Sequence, residues 1–593
     1  MKTDTIEIRS MSFPFSKAKS RRPGGPYVRF LHNMGICGPQ GLTAVFVALL
    51  VSLACVACTR RHSSPRRPAA TTARDDGGAA GPYRTVRPSA GVKLPEIAPK
   101  PSRPDPYGGT LHVHLDAEPP HLNPLQDQLQ VIQRVVGNLV YETLIECREN
   151  QYRPGLAESW DVSPDGERIT IKLRSGARWH DDRAVSGLDV QASYEPLLRT
   201  SSHQAIWHAM LEDVEGVDVL PERAARFRLR RPSDLVLRAL CEIPILPAES
   251  LRKAGSAVAQ LGRQPVGTGP FRFSAWERGK RIRLVRSRPA ERPRPPFLDE
   301  IVFEIDGDGS RALVRTRRGE IDILPRVLDV LYPEQVTPAT LRDTLELWWL
   351  TPDRTSFIVP NHRRGPLGDP RFRQALSLLW DRARFAEEVH HGLARPIGAP
   401  TFAQVPPDPL DRKQAISLLE TSGFRDSDGD GVRDVGGVPI RLTFLLPSAA
   451  RGLAAEVRGF ALDLRRAGLL LDTVTVDAAT LQARLDRGDF DLATLTWDGR
   501  QDEDPRPFCG NQGQLSFTGY RSEHLQSLLD RVRLAPGFTA RVPLLQQVGE
   551  WLASERPVIF LYRHDVPALV AKRVHGLAGV GDRLDLRSVW VDP

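Results

Sequence analysis

Residues 41–57 run seventeen positions without a charge, with Lys17, Lys19, Arg21, Arg22 and Arg29 ahead of them and Arg60 and Arg61 behind. A basic stretch, an apolar run and a small-residue end mark a secretory signal. The run is short for crossing a hydrocarbon core, which takes about 20 residues. It ends in Ala54-Cys55-Val56-Ala57-Cys58, and a small residue before a cysteine suits a lipoprotein cleavage box. Cys58 is the preferred lipidated residue and Cys55 the second. Neither has the usual leucine three positions earlier, and an uncleaved membrane anchor is the competing reading. Met34 is an alternative start that would give the leader an ordinary length. Either way, the remainder of the chain must fold outside the cytoplasm, where disulfides persist. Cys147, Cys241 and Cys509 remain in the body, enough for one disulfide and one free thiol, with the pairing open.

The chain has 593 residues and a net charge of +9, too long for one core at roughly 150 residues per domain. Residues 1–107 hold 17 Lys and Arg against 6 Asp and Glu, so the rest is close to neutral. A basic arm on a neutral body, with aromatics scattered singly, suits a targeting segment and a tether and argues against a nucleic-acid partner. Residues 59–107 are rich in Arg, Pro, Ala, Ser and Gly and poor in large apolar side chains, so they are expected to form a disordered tether behind the signal segment 1–58.

Beyond the tether two periods mix. Alternation predicts strands at 109–115, 169–173, 280–285, 298–305, 440–446 and 471–476, and three-to-four spacing predicts helices at 130–144, 189–198, 371–390, 411–422, 454–467 and 479–487. Val131, Val135, Leu139, Val140 and Leu144 would share one face of the first helix. Mixed elements without a fixed repeat indicate α/β domains rather than a solenoid or bundle.

Several phrases then become recognisable in order: Leu156-Ala157-Glu158-Ser159-Trp160, Ser163-Pro164-Asp165-Gly166, Leu173-Arg174-Ser175-Gly176 running into Trp179-His180-Asp181, and Leu188-Asp189-Val190. Val266-Gly267-Thr268-Gly269-Pro270-Phe271, Gly319-Glu320-Ile321-Asp322, Arg371-Phe372-Arg373-Gln374-Ala375-Leu376 with Asp381-Arg382, and Gly488-Asp489-Phe490-Asp491 continue the series. Together, over about 108–590, they resemble the family 5 extracytoplasmic solute-binding proteins, the peptide- and nickel-type receptors of ABC importers. Most of the phrases read individually as structural: 266–270 as a turn into a strand, Arg373 and Asp381 as capping and pairing residues, Trp160 and Trp179 as packing.

The resemblance implies a periplasmic-binding-protein-like type II (class C) α/β fold, bilobal with an extra domain and a hinge-closing cleft. It divides the body into a discontinuous lobe I (108–140, 265–345 and 565–593), an extra domain II (141–264) and a lobe III (346–564). It also implies a small-molecule or peptide ligand, a permease partner in the inner membrane, a periplasmic location held by the lipid on Cys58, and a monomer that performs no chemistry.

In peptide-binding members of the family an aspartate shortly after a Trp-bearing strand receives the peptide amino group. The matching stretch is Trp497-Asp498-Gly499-Arg500-Gln501-Asp502-Glu503-Asp504-Pro505. Aligned on the Trp, Arg500 stands in the aspartate's place; aligned on Asp504-Pro505, Gln501 does, with Asp498 and Asp502 nearby. A guanidinium there would repel an amine and favour a carboxylate or phosphate, and acceptance by Asp502 or Asp498 remains the alternative. Glu118 and His121, after the first strand, are further cleft candidates.

Asp426, Asp428, Asp430 and Asp434 follow DxDxDG spacing, in which alternating carboxylates wrap a calcium ion. The twelfth position, normally a bidentate acid, is Gly437, so a structural calcium and a plain acidic turn both stand. His112 and His114 share a strand face without a third ligand. No HExxH, GxSxG or Walker loop is present, and His390-His391 cannot share a helix face. A non-transporting sensor or surface lipoprotein and an exported hydrolase are the rival functions.

Overall fold

The computed structural model describes residues 106–593 except 127–128, 149–150, 200–204, 253–259, 289–293, 329–330, 342–343, 353, 449, 499–503, 512, 536 and 582. The chain divides into two units, Met1–Ala79 and Ala80–Pro593. The signal segment, Cys55, Cys58 and the tether up to residue 105 lie outside the described residues. Among these, no helix is long and apolar enough to cross a membrane. Tyr107, the last tether position, already packs its ring edge-on against Phe297 at 5.3 Å.

Three large sheets organise the body. In the seven-stranded sheet Thr110–Leu115 lies parallel to Glu300–Ile305, with Val113 opposite Phe303. Its alternation buries Leu111, Val113 and Leu115. His112 and His114 are occupied by the neighbouring strand and the loop after it: His112 Nδ1 lies 3.3 Å from Glu304 Oε1, and His114 Nε2 bonds the Asp306 carbonyl at 2.8 Å.

The four-stranded antiparallel sheet, Ala157–Val162, Arg168–Leu173, Ala224–Leu229 and Val214–Leu220, packs against the helices Gly187–Arg199 and Asp234–Glu242. Cys147–Cys241 is disulfide-bonded across this domain, and Cys509 is a buried free thiol.

The six-stranded sheet holds Ala394–Pro396, Ile559–His564, Arg354–Pro360, Leu492–Asp498, Arg441–Pro447 and Leu470–Val476. Arg441–Pro447, the helix Arg451–Arg466 and Leu470–Val476 form a βαβ unit, with Phe444 beside Thr473.

The chain passes between the seven- and six-stranded sheets twice at close quarters. One passage is 351–353, between Leu345–Leu350 and Arg354–Pro360. The other is the single residue Asp565, between Ile559–His564 and Val566–Ala571. The lobe boundary expected at 346 needs correction, because Leu345–Leu350 pairs antiparallel with Val566–Ala571 and so belongs to the seven-stranded sheet.

Two expected helices are shorter than their apolar periodicity. The first ends at Val136. A Cβ on Gly137 would stand 2.5 Å from the Gln133 carbonyl, and Asn138 turns the chain with φ +59°. Leu139 and Val140 stay buried for a different reason: their carbonyls accept from the Phe271 and Gly269 N–H groups at 2.9 Å. This is the turn expected at 266–270, and a Cβ on Gly267 would lie 1.7 Å from the Val140 oxygen. His180 fastens it, accepting from the Gly267 N–H through Nδ1 at 3.2 Å and reaching the Gly269 carbonyl through Nε2 at 2.9 Å. Burial lowers the His180 pKa, consistent with the neutral ring that this pairing requires.

The 371–390 segment is two helices, Pro370–Leu379 and Arg382–Glu388. Asp381 caps the second by accepting from the Arg384 N–H at 3.2 Å. Arg382, buried at the break, satisfies the Ser377 and Phe560 carbonyls at 2.9 Å each. Arg373 does not pair along its helix; it donates to the Leu367, Gly368, Glu555 and Arg556 carbonyls.

Candidate functional site

The strand Leu492–Asp498 lies between Arg354–Pro360 and Arg441–Pro447 in the six-stranded sheet, with Trp497 opposite Thr355 and Asp498 opposite Arg354. Trp497 is 8 % exposed. Its ring stacks on Phe508, centroids 4.7 Å apart and planes at 22°, with Phe402 edge-on at 6.1 Å. The ring is packed away from solvent at the start of the loop after it.

That loop, 499–503, carries Arg500, Gln501 and Asp502 and lies outside the described residues, as does the side chain of Asp498. Its far end is anchored. Asp504 is buried and accepts from the Arg506 N–H at 3.0 Å and from Arg506 Nε at 2.5 Å. Burial raises its pKa in spite of the neighbouring guanidinium. Arg506 opens the short helix Arg506–Cys509, which carries Phe508 back onto Trp497. Burial disfavours the Arg506 charge, but Asp504 and Glu212 outweigh it and raise its pKa. Burial also pushes the Cys509 thiol up, which leaves it inert.

Glu118 stands in the loop after the first strand, where its Oε1 accepts from Trp276 Nε1 at 3.0 Å and the Gly279 N–H at 3.2 Å. Arg278 lies over the Trp276 ring at 3.5 Å. Trp276 and Arg278 line a recess of about 410 Å³ with Arg263, Gln264 and Phe273. No sequence motif marks this recess. His121 is half-buried and accepts from the Asn123 N–H at 3.3 Å. Among the described residues no hydrogen bond joins Glu118 or His121 to Trp497 or Asp504.

The acidic loop brings together Asp426, Asp428 and Asp430, with carboxylate oxygens within 4.8 Å of one another. Asp434 is turned elsewhere: it accepts from the Ser427 N–H and Oγ at 2.8 and 2.6 Å and from the Gly437 N–H at 3.1 Å. The ring carboxylates also serve their own loop, Asp426 taking the Gly429 and Gly431 N–H groups and Asp430 the Val432 N–H.

The comparisons with known proteins agree with this architecture. Residues 151–515 match the family described as bacterial extracellular solute-binding proteins, family 5, and the chain belongs to that family. The dipeptide-binding protein of Escherichia coli K12 is 24 % identical over 479 residues, covering 74 % of this chain and 86 % of the relative. The oligopeptide-binding protein AppA of Bacillus subtilis, solved with a nonapeptide, aligns with TM-score 0.66 at 21 % identity, over 83 % of this chain and 100 % of that one. The ABC transporter substrate-binding protein CtaP of Listeria monocytogenes aligns with TM-score 0.70 at 19 % identity, over 82 % and 99 %. The fold is therefore the bilobal type II binding-protein fold, and the protein is an extracytoplasmic solute-binding protein.

Proposed function

We propose that this protein captures a small peptide-like solute between its lobes outside the cytoplasm and delivers it unchanged to the membrane permease of an ABC importer. The observation that carries this reading is the pair of short passages between the seven- and six-stranded sheets, 351–353 and Asp565. Two rigid sheet bodies joined by short neighbouring strand-to-strand links can rotate about them, and contacts from both bodies then exist together only when the cleft is shut. The names of the relatives, dipeptide- and oligopeptide-binding proteins among them, support a peptide-like ligand. We read the mature protein as a lipid-anchored monomer held at a membrane through Cys58.

On the alignment from Trp497, Arg500 takes the place of the amine-binding aspartate and favours a solute presenting a carboxylate or another anion. Calorimetric titration with matched free and N-acetylated di- and tripeptides tests this. Equal or tighter binding of the acetylated peptides supports Arg500 as the contact; loss of binding on acetylation returns the role to Asp502 or Asp498.

The loop of Asp426, Asp428 and Asp430 is proposed as a structural calcium site of low affinity, since position twelve supplies no acid. A rise in unfolding temperature with calcium but not magnesium, lost in Asp428→Ala, supports it; equal curves in calcium and chelator make the loop an acidic turn alone.

A further inference from the structure

The middle domain, built on the four-stranded sheet, meets the C-terminal lobe, the one that carries the six-stranded sheet and residues 354–564, through charge. Their apolar clusters are separate, Trp207 and Met210 belonging to one and Phe508, Leu528 and Leu545 to the other. All three described ion pairs between them place arginine on the C-terminal lobe and carboxylate on the middle domain. Arg506 reaches Glu212 at 2.6 Å. Arg533 approaches the two oxygens of Asp213 at 3.2 and 3.3 Å. Arg541 donates to Asp234 Oδ2 at 2.8 Å. The Arg533 and Arg541 side chains are 7 % and 2 % exposed, and that of Asp213 is 5 % exposed.

The carboxylates at the two buried pairs also have partners in their own domain. Asp213 takes Arg231 Nε at 2.6 Å, and Asp234 takes the Tyr152 hydroxyl at 3.3 Å. If the lobes part, these acids keep a donor and the lobe arginines regain water. An apolar surface of similar burial would hold the bodies together permanently. Buried ion pairs behave differently, because desolvation offsets most of their attraction, so they fix register while adding little net stability. Sign-complementary charges also exclude misaligned docking.

We propose that Arg533 and Arg541, with Arg506 at the rim, form an arginine latch. It holds the C-terminal lobe against the middle domain and sets the balance between shut and parted cleft before any solute arrives. The proposal rests on the hinge-closing reading above and adds the residues that govern it. Deleting one arginine leaves a buried carboxylate short of a partner only in the shut form, so the population moves toward the parted form. Apparent solute affinity then falls in proportion to the shut fraction.

Small-angle X-ray scattering of the purified full chain without added solute tests this by comparing wild type with Arg533→Met/Arg541→Met. The double variant is expected to expand by about 1 Å or more over wild type, against the roughly 25 Å radius of gyration of a compact chain this long. Its apparent affinity for any solute the wild type binds should fall about tenfold. An unchanged radius with only a lowered unfolding temperature would overturn the latch and make the pairs fixed cement. If that variant does not fold, Asp213→Asn/Asp234→Asn, altered on the middle-domain side of the same two pairs, must expand as well or the proposal fails. Expansion in a chain that binds no peptide supports the latch and removes only the ligand assignment.

Discussion

Trp497 and Phe508 stack across the base of the loop 499–503, one before the segment and the other after it. Both rings are buried in the lobe core, so the residues on either side of the loop are held by packing. Phe508→Ala removes a fully buried ring. It is expected to cost about 3–5 kcal/mol of stability, through lost burial plus a cavity, and to weaken solute binding as well. Denaturant unfolding and calorimetry read the two effects; lost stability with intact binding would separate the stack from the site.

Gly267 tests the turn that leads into Phe271–Glu277, an edge strand of the seven-stranded sheet. Its missing Cβ makes room for the Val140 carbonyl, and Gly267→Ala would drive a methyl into backbone that cannot rotate away. The expected cost exceeds the roughly 1–3 kcal/mol of ordinary overpacking. Gly176→Ala, where a Cβ meets nothing within 4 Å, should leave the unfolding temperature almost unchanged. Equal effects of the two substitutions would contradict the close-approach account.

Much of this fold is legible in local sequence because half-buried strands alternate and surface helices keep one apolar face. Thr110–Leu115, Arg168–Leu173 and Arg441–Pro447 follow such patterns. The central strand Arg354–Pro360 does not: Thr355 to Pro360 are all buried, so no alternation remains to read. Helix ends are harder to read than helices. Apolar spacing continues through Leu139 because packing on the 266–270 turn demands it, and through Trp380 although Asp381 starts a new helix. The site is half legible. The Trp497–Pro505 stretch can be found by its phrase, but Arg533 and Arg541 pair with residues 320 and 307 positions away, and no spacing rule reaches that far.

The Cys147–Cys241 bond closes a separation of 94 residues. In the chain-entropy account a loop of that size is worth about 4–5 kcal/mol. Cys147→Ser/Cys241→Ser should lower the unfolding temperature and selectively increase hydrogen exchange in the four-stranded domain. Cys509 should stay unreactive to thiol reagents until the chain unfolds. Prompt labelling of Cys509 in the native protein would contradict its burial.

His564 sits one residue before the Asp565 passage, with its Nε2 3.2 Å from Ser356 Oγ. Burial, with His390, Arg354 and Arg326 nearby, pushes its pKa down to about 3, whereas an unfolded histidine titrates near 6.5. Between those values the unfolded chain binds more protons. The stability from a neutral His564 is therefore complete above about pH 6.5 and declines as the pH falls toward 3, by up to roughly 1.4 kcal/mol per unit. Urea unfolding from pH 7 to 4 should show a shallower decline in His564→Gln than in wild type; parallel curves would mean that His564 does not contribute.

Native mass spectrometry of the protein purified from cells that export it tests most directly whether this chain encloses a solute without altering it. The account predicts a complex heavier than the chain by one small molecule, which leaves intact on denaturation and raises the unfolding temperature when added back. A mass equal to the bare chain, with no thermal shift across peptides, amino acids, sugars and metal complexes, would contradict it.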